Sequence, residues 1–444
     1  IDGVGAGKLD SIGGEIRFDG ITVNYLNGLP PVTDVAGVAD YDAESFVLAL
    51  ESGRLQDLAV SDADIAITGF DRRIQTIDIE VVVAGPLRTA LEVVDSPRLG
   101  YIGKLGLDPA AVSGDFAGRL RFNLPLLGRL TTFDQVGVGV GANLENVAIR
   151  EARIGEVTGI NGTLDLDGRG MTVEGDGLLR AVPLAFRWTE NFGGGRAFRT
   201  RLDASGRFER PDLVAMGIDF YRNWQGAVGV DLRYVDLDRK MATVAAELDL
   251  VDAAIRLDEI GWVKPAGDEG TATVELQLNE ARLADIPAFA VDGGGLQLSG
   301  SAAFDPETAT LREVRLSQFQ HGDTDIAADL TRTADGGYAV SARGPRLDAR
   351  PLLARATAST ADTDDAAAGA AEEAAAEAES ADVTPLQVTV AFDEVTASDD
   401  GTLFEVSGLA VRDPRGWNEF DLAARTDTGQ ALRGRYEPVS AGDH

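Results

Sequence analysis

The sequence predicts a mainly β protein: a long, mostly antiparallel twisted sheet with a few short helices. Three observations predict it. Apolar and polar residues alternate with period two through most of the 444 residues. Turn dipeptides rich in Gly, Asn and Asp separate the alternating runs. Helical periodicity is sparse.

The strands come first. Ile77, Ile79, Val81 and Val83 alternate with Asp78 and Glu80, and Leu120, Phe122 and Leu124 alternate with Arg119, Arg121 and Asn123. Val136, Val138, Val140, Ala142 and Leu144 alternate with Gly137, Gly139, Gly141 and Asn143. The pattern returns at Leu164 and Leu166, at Leu184, Phe186 and Trp188, at Val228, Val230, Leu232 and Tyr234, and at Val244, Ala246, Leu248 and Leu250. It returns again at Val274, Leu276 and Leu278, at Ile326, Ala328 and Leu330, and at Val388, Val390 and Phe392. The template yields roughly twenty short strands. Turn signals stand at Asn161-Gly162, Asp167-Gly168, Asp176-Gly177, Gly336-Gly337 and Asp399–Gly401. Pro30 and Pro31 cannot donate to a ladder, so they read as a stop after Tyr25, with pairing resumed over Ala36–Tyr41.

The helices follow. Pro86–Ser96 has proline in its first turn and Leu87, Ala90, Leu91 and Val94 on one face. Arg210–Phe220 and Pro345–Ala356 carry weaker helical patterns. Ala356–Asp382 is acidic, low in complexity and almost free of large apolar residues, so it reads as a linker. The expected organisation is a continuous β segment over residues 1–355, the linker over 356–382 and resumed β structure over 383–444.

Composition narrows the function. The formal charge of 40 − 73 = −33 repels nucleic acid and anionic membrane faces. Absence of cysteine excludes disulfides, thiolate nucleophiles and Cys-ligated zinc. No apolar run approaches the ~18 residues of a membrane span. The chain begins at Ile1 and reads as a fragment, any anchor or export signal lying upstream.

Chemical motifs are few. The histidines are His321, before a Gly-Asp turn, and the terminal His444, and no Ser-His-Asp set or GxSxG motif is present. Gly3–Lys8 fails as a phosphate loop, because Leu9 follows the lysine and no strand precedes the glycines. Asp165 and Asp167, like Asp362–Asp365, do not complete a calcium loop and read as turn aspartates. Carboxylates are too abundant for any pair to mark a glycosidase. No catalytic residue, metal or cofactor is expected.

The alternation gives every strand an apolar side that something must cover. Three short helices cannot cover it. A sandwich, a closed solenoid or a groove filled by acyl chains would each do so. A membrane barrel is disfavoured, because its strands run about 9–11 residues and carry aromatic girdles, whereas the runs here are shorter and aromatic-poor.

One stretch discriminates among them. Gly14–Ile67 contains, in order, Pro30-Pro31-Val32, Gly37-Val38-Ala39-Asp40-Tyr41, Phe46-Val47-Leu48 and then Gly53 through Ile67. Gly85, Val94–Tyr101, Asp108-Pro109, Val112, Gly114 and Phe122–Leu127 follow. This order resembles the central region of YhdP-type proteins of the AsmA-like superfamily, most specifically over residues 14–190. The resemblance implies an open hydrophobic β-groove that carries phospholipid across the periplasm of a Gram-negative cell. It also implies an inner-membrane anchor outside this chain, possible envelope partners and no catalytic residues. Groove-lining positions are then expected at Ile79, Val81, Leu120, Phe122, Val138, Val140, Leu164, Leu166 and Phe186, and further along at Val230, Leu232, Leu248, Leu276 and Leu278. The alternative expectation is a closed β-solenoid or sandwich that acts as an envelope scaffold.

Overall fold

A computed structural model describes residues 12–25, 29–95, 108–126, 136–150, 155–193, 195–218, 223–258, 260–353, 384–399, 401–413 and 416–436. The chain forms two compact units, Ile1–Gly206 and Arg207–His444. The acidic segment 356–382 and the glycines of Gly3–Lys8 lie outside the described residues.

The first unit is a meander of β1 (Gly13–Val23), β2 (Val32–Asp42), β3 (Ser45–Leu55), β4 (Leu58–Thr68), β5 (Gln75–Pro86), β6 (Val112–Leu126), β7 (Gly137–Ile149), β8 (Val157–Asp167), β9 (Gly170–Leu179), β10 (Val182–Asn191) and β11 (Thr200–Glu209). Each strand pairs antiparallel with the next, from β1–β2 through β10–β11. Among the described strands β1 pairs only with β2, so the sheet is not closed. Pairing resumes directly after the prolines, Val32 standing opposite Val23, four residues earlier than the sequence predicts.

Helix α1 (Leu87–Val94) connects β5 to β6, as its apolar stripe requires. Its Leu87, Ala90 and Leu91 pack on a buried cluster of Leu58, Val83, Val112, Phe116, Leu144, Val147 and Ile160. Arg88 pins it, donating to the carbonyls of Val112 (3.1 Å) and Ala110 (2.6 Å). This strand end is therefore covered. A line of register shifts runs near it, at Asp34, Asp62, Gly114, Asn146 and Gly159, all with positive φ. Such bulges add local twist and bend the strands.

The second unit opens with α2 (Arg210–Ala215), followed by β12 (Trp224–Asp236), β13 (Met241–Asp249), β14 (Ala253–Leu257), β15 (Trp262–Lys264), β16 (Gly270–Asn279), β17 (Arg282–Gly293), β18 (Leu296–Phe304), β19 (Leu311–His321), β20 (Thr324–Arg332) and β21 (Tyr338–Asp348). It ends with β22 (Leu386–Ser398), β23 (Gly401–Asp413), β24 (Gly416–Thr426) and β25 (Ala431–Tyr436). β12, β13 and β16 through β25 form one ladder, antiparallel except for the parallel β21–β22 pair.

The β14–β15 ribbon pairs separately with β12 and covers one strand end. Trp262 (2% exposed) donates to the Gly294 carbonyl at 3.1 Å. Lys264 (0% exposed) donates to the carbonyls of Ala253 (3.1 Å), Pro265 (3.2 Å) and Val251 (3.5 Å).

Three expectations need correction. The strands, expected to be short, mostly run from 9 residues, as in β13, to 15, as in β6. Asn161-Gly162 and Asp176-Gly177 lie inside β8 and β9 and make no turns. Gly162 and Gly175 stand opposite each other, and a Cβ on either would fall 2.2 Å from a carbonyl oxygen across the ladder. These glycines serve close strand approach. The weak helical pattern at Pro345–Ala356 is divided: β21 runs to Asp348, residues 350–353 are helical, and residues 354–356 lie outside the described residues.

Candidate functional site

Strand register aligns the alternating residues into continuous cross-strand rows. In the first unit, Ile16, Ala39, Leu48, Ile65, Ile79, Phe122 and Val138 face each other successively across β1 to β7. A second row joins Val81, Leu120, Val140, Leu166 and Met171. A third joins Val83, Gly118, Ala142, Leu164, Val173, Trp188 and Leu202. Phe186 belongs to a fourth, with Phe116, Leu144, Gly162, Gly175 and Ala204.

The second unit repeats the arrangement. Val230, Leu248, Ala272, Val291, Leu298, Phe319 and Ile326 form one row. Leu232 begins another that continues through Ala246, Val274, Phe289, Gly300, Leu316, Ala328, Ala342, Val390, Gly408 and Leu422 to Gly434. Leu276 pairs with Val244, and Leu278 stands between Ala242 and Leu283.

All fourteen positions expected from the sequence thus lie on ladders of apolar neighbours, nine in the first unit and five in the second. Each is half-buried. A sandwich core would bury them fully, as the covered strand ends bury Leu58 and Trp262. Sequence reasoning missed Ile16, Leu48 and Ile65, which the alternation in β1, β3 and β4 could have supplied. It also missed Phe289, whose alternation is blurred where the β17 register shifts beside Pro287.

The opposite face is charged. Glu80 of β5 bonds Arg121 (2.9 Å) and Arg119 of β6, which hold its carboxyl below the usual range. Asp329 of β20 accepts from Arg343 (2.8 Å) and Arg315 (3.2 Å), and both lower its pKa, Arg343 the more. The predicted turn aspartate Asp167 accepts from the backbone N–H groups of Arg169 (2.8 Å) and Gly170 (3.1 Å). His321 ends β19 directly before the Gly322-Asp323 turn. Among the described residues no cluster of His, Asp and Glu could hold a metal ion.

An apolar face carried through successive strands, half-buried at the expected positions and closed over by α1 where its rows reach Val83, Phe116 and Leu144, is the property to set beside known proteins. The family described as YhdP protein matches residues 6–422. The chain belongs to the YhdP family. That family is AsmA-like, and membership points to a role in lipid transport and to the cell envelope. No curated protein and no solved structure matches the chain. Among the described residues no helix is long and apolar enough to cross a membrane.

Proposed function

We propose that this chain is a segment of a non-catalytic conduit that carries phospholipid between the inner and outer membranes across the periplasm, held by an inner-membrane anchor outside the sequence. The continuity of the half-buried apolar rows carries the reading. Acyl chains would take the place that a second sheet takes in a sandwich. Each buried CH₂ contributes about 0.8 kcal/mol, so a tail of more than a dozen carbons is held firmly overall. Movement from one strand to the next exchanges apolar contacts for similar ones, because the rows present mostly Leu, Val, Ile, Ala and Phe, with Gly, Met and Trp at single steps. Binding is therefore strong while the barrier to sliding stays low.

Photocrosslinking in cells tests this. A benzophenone side chain at Phe122, on an apolar row, is expected to capture phospholipid. The same group at Asn123, on the charged face opposite Asp78, is expected to capture none. Equal lipid capture at the two positions, or none at Phe122, would overturn the proposal.

A further inference from the structure

The two strand ends of the second unit differ in charge. At the covered end Asp292 stands near the end of β17, Asp323 and Asp399 lie in the β19–β20 and β22–β23 turns, and Arg350, which follows β21, bonds Asp399 at 3.1 Å. At the opposite end both signs recur from turn to turn. The β12–β13 turn carries Asp238, Arg239 and Lys240, the β16–β17 turn carries Glu280 beside Arg282, and the β20–β21 turn carries Asp335 beside Arg332.

These turns are tied into one rim. The Glu280 N–H donates to the Lys240 carbonyl at 2.7 Å. Arg282 reaches the β18–β19 loop and donates to the Glu307 carbonyl at 3.3 Å. Arg332 reaches the same loop from the other side, donating to Thr310 Oγ1 at 2.7 Å. These bonds join residues of opposite sign, Lys240 to Glu280 and Arg282 to Glu307, and the charge of Arg332 acts on the Asp305 carboxylate. Asp238 and Asp305 are held ionised by N–H groups of their own turns. The side chains of Lys240, Glu280, Arg282 and Asp335 are exposed.

From this alternation we propose that the uncovered rim of the second unit is a headgroup track for zwitterionic phospholipid, its Arg and Lys side chains meeting the phosphate and its carboxylates meeting the ammonium. It rests on the conduit proposed above, because a headgroup reaches this rim only when its tails lie on the apolar rows. A net-anionic headgroup finds phosphate partners here but has no cation to offer the neighbouring carboxylates. It also meets the repulsion of a chain whose formal charge is −33. The alternating pattern spares a zwitterion both costs at every step along the rim.

The test loads the purified chain from vesicles of equimolar phosphatidylethanolamine and phosphatidylglycerol and weighs the bound lipid by mass spectrometry. Phosphatidylethanolamine is expected in roughly fivefold excess, the scale of one or two exposed ion pairs. The excess is expected to shrink in 1 M salt, where the Debye length falls to about 3 Å. The triple variant D238N/E280Q/D335N keeps the turn acceptors and removes three charges, and it is expected to move the ratio toward phosphatidylglycerol. A circular dichroism spectrum matching the parent's confirms that its sheet is intact. Equal loading of the two lipids by the parent chain, or an unchanged ratio in the folded variant, overturns the headgroup track and leaves the conduit standing. Loading of neither lipid overturns both.

Discussion

Gly118 stands directly across the ladder from Ala142, and a methyl group built on it would lie 2.4 Å from the Ala142 Cβ. Both residues belong to an apolar row, so a methyl added at Gly118 would crowd the face assigned to lipid. Gly118→Ala is expected to destabilise the first unit by about 1–3 kcal/mol, the usual cost of overpacking. Gly139→Ala, on the charged face, is expected to be nearly neutral, since its new methyl meets nothing nearer than Arg121 Cβ at 3.8 Å. Urea denaturation of the two variants checks the contrast.

Lys264 is sealed under the β14–β15 ribbon with three carbonyl oxygens as its partners. Lys264→Ala leaves these acceptors without their donor and opens a cavity. A loss of about 2–4 kcal/mol is expected. Hydrogen exchange is expected to quicken first in the amides of Ala253–Leu257 and Trp262–Lys264. Uniform quickening across the unit would contradict a local latch.

Acid should weaken the sheet through its charged face. Asp329, Glu80 and Asp348 all titrate below their ordinary values because arginines bond their ionised forms. A depressed folded-state pKa gives stability that is complete above the unfolded value, about 3.9 for Asp and 4.3 for Glu. That stability is lost as the pH falls through the folded value. The thermal midpoint is expected to stay level from pH 7 to about 5 and to drop below about 4. Asp329→Asn is expected to make the drop shallower, as thermal melts across this range would show.

Phe289 lies over Gly300, where a Cβ would come within 2.6 Å of the ring. Phe289→Asp places a charge in the middle of the long apolar row of the second unit. Lipid co-purifying with the chain is expected to fall severalfold, because an unpaired carboxylate against acyl chains costs several kcal/mol. Ala288→Asp, one residue away and exposed, is expected to leave lipid content unchanged. Quantitative lipid mass spectrometry decides between them.

Much of this was legible in the sequence, because a strand's period of two survives wherever a bulge does not interrupt it. The run Val136–Leu144 announces both its strand and its apolar side, and Pro86 with the stripe Leu87, Ala90, Leu91 announces α1. Glycine was the ambiguous letter. Gly168 and Gly336 make turns as their neighbours imply, whereas Gly162 and Gly177 lie within strands, and only the partner strand distinguishes the two uses. The β14–β15 ribbon was equally hidden, since its pairing with β12 is a tertiary fact. The parallel β21–β22 pair was hidden as well, because no local pattern records strand direction. The rim charges went unnoticed because each looks like an ordinary turn residue until the ladder sets them side by side.

The meander has a consequence for how such a chain tolerates change. Among the described residues from β1 to β11, every strand bonds only to the strands before and after it in sequence, so the first unit behaves like a row of dominoes standing in contact. A lesion in β3 can be felt in β2 and β4 but has no direct route to β9. Sequence can therefore drift strand by strand, provided that each new side chain keeps its parity and every junction keeps its register. What persists over long divergence is a rhythm and not a set of invariant letters.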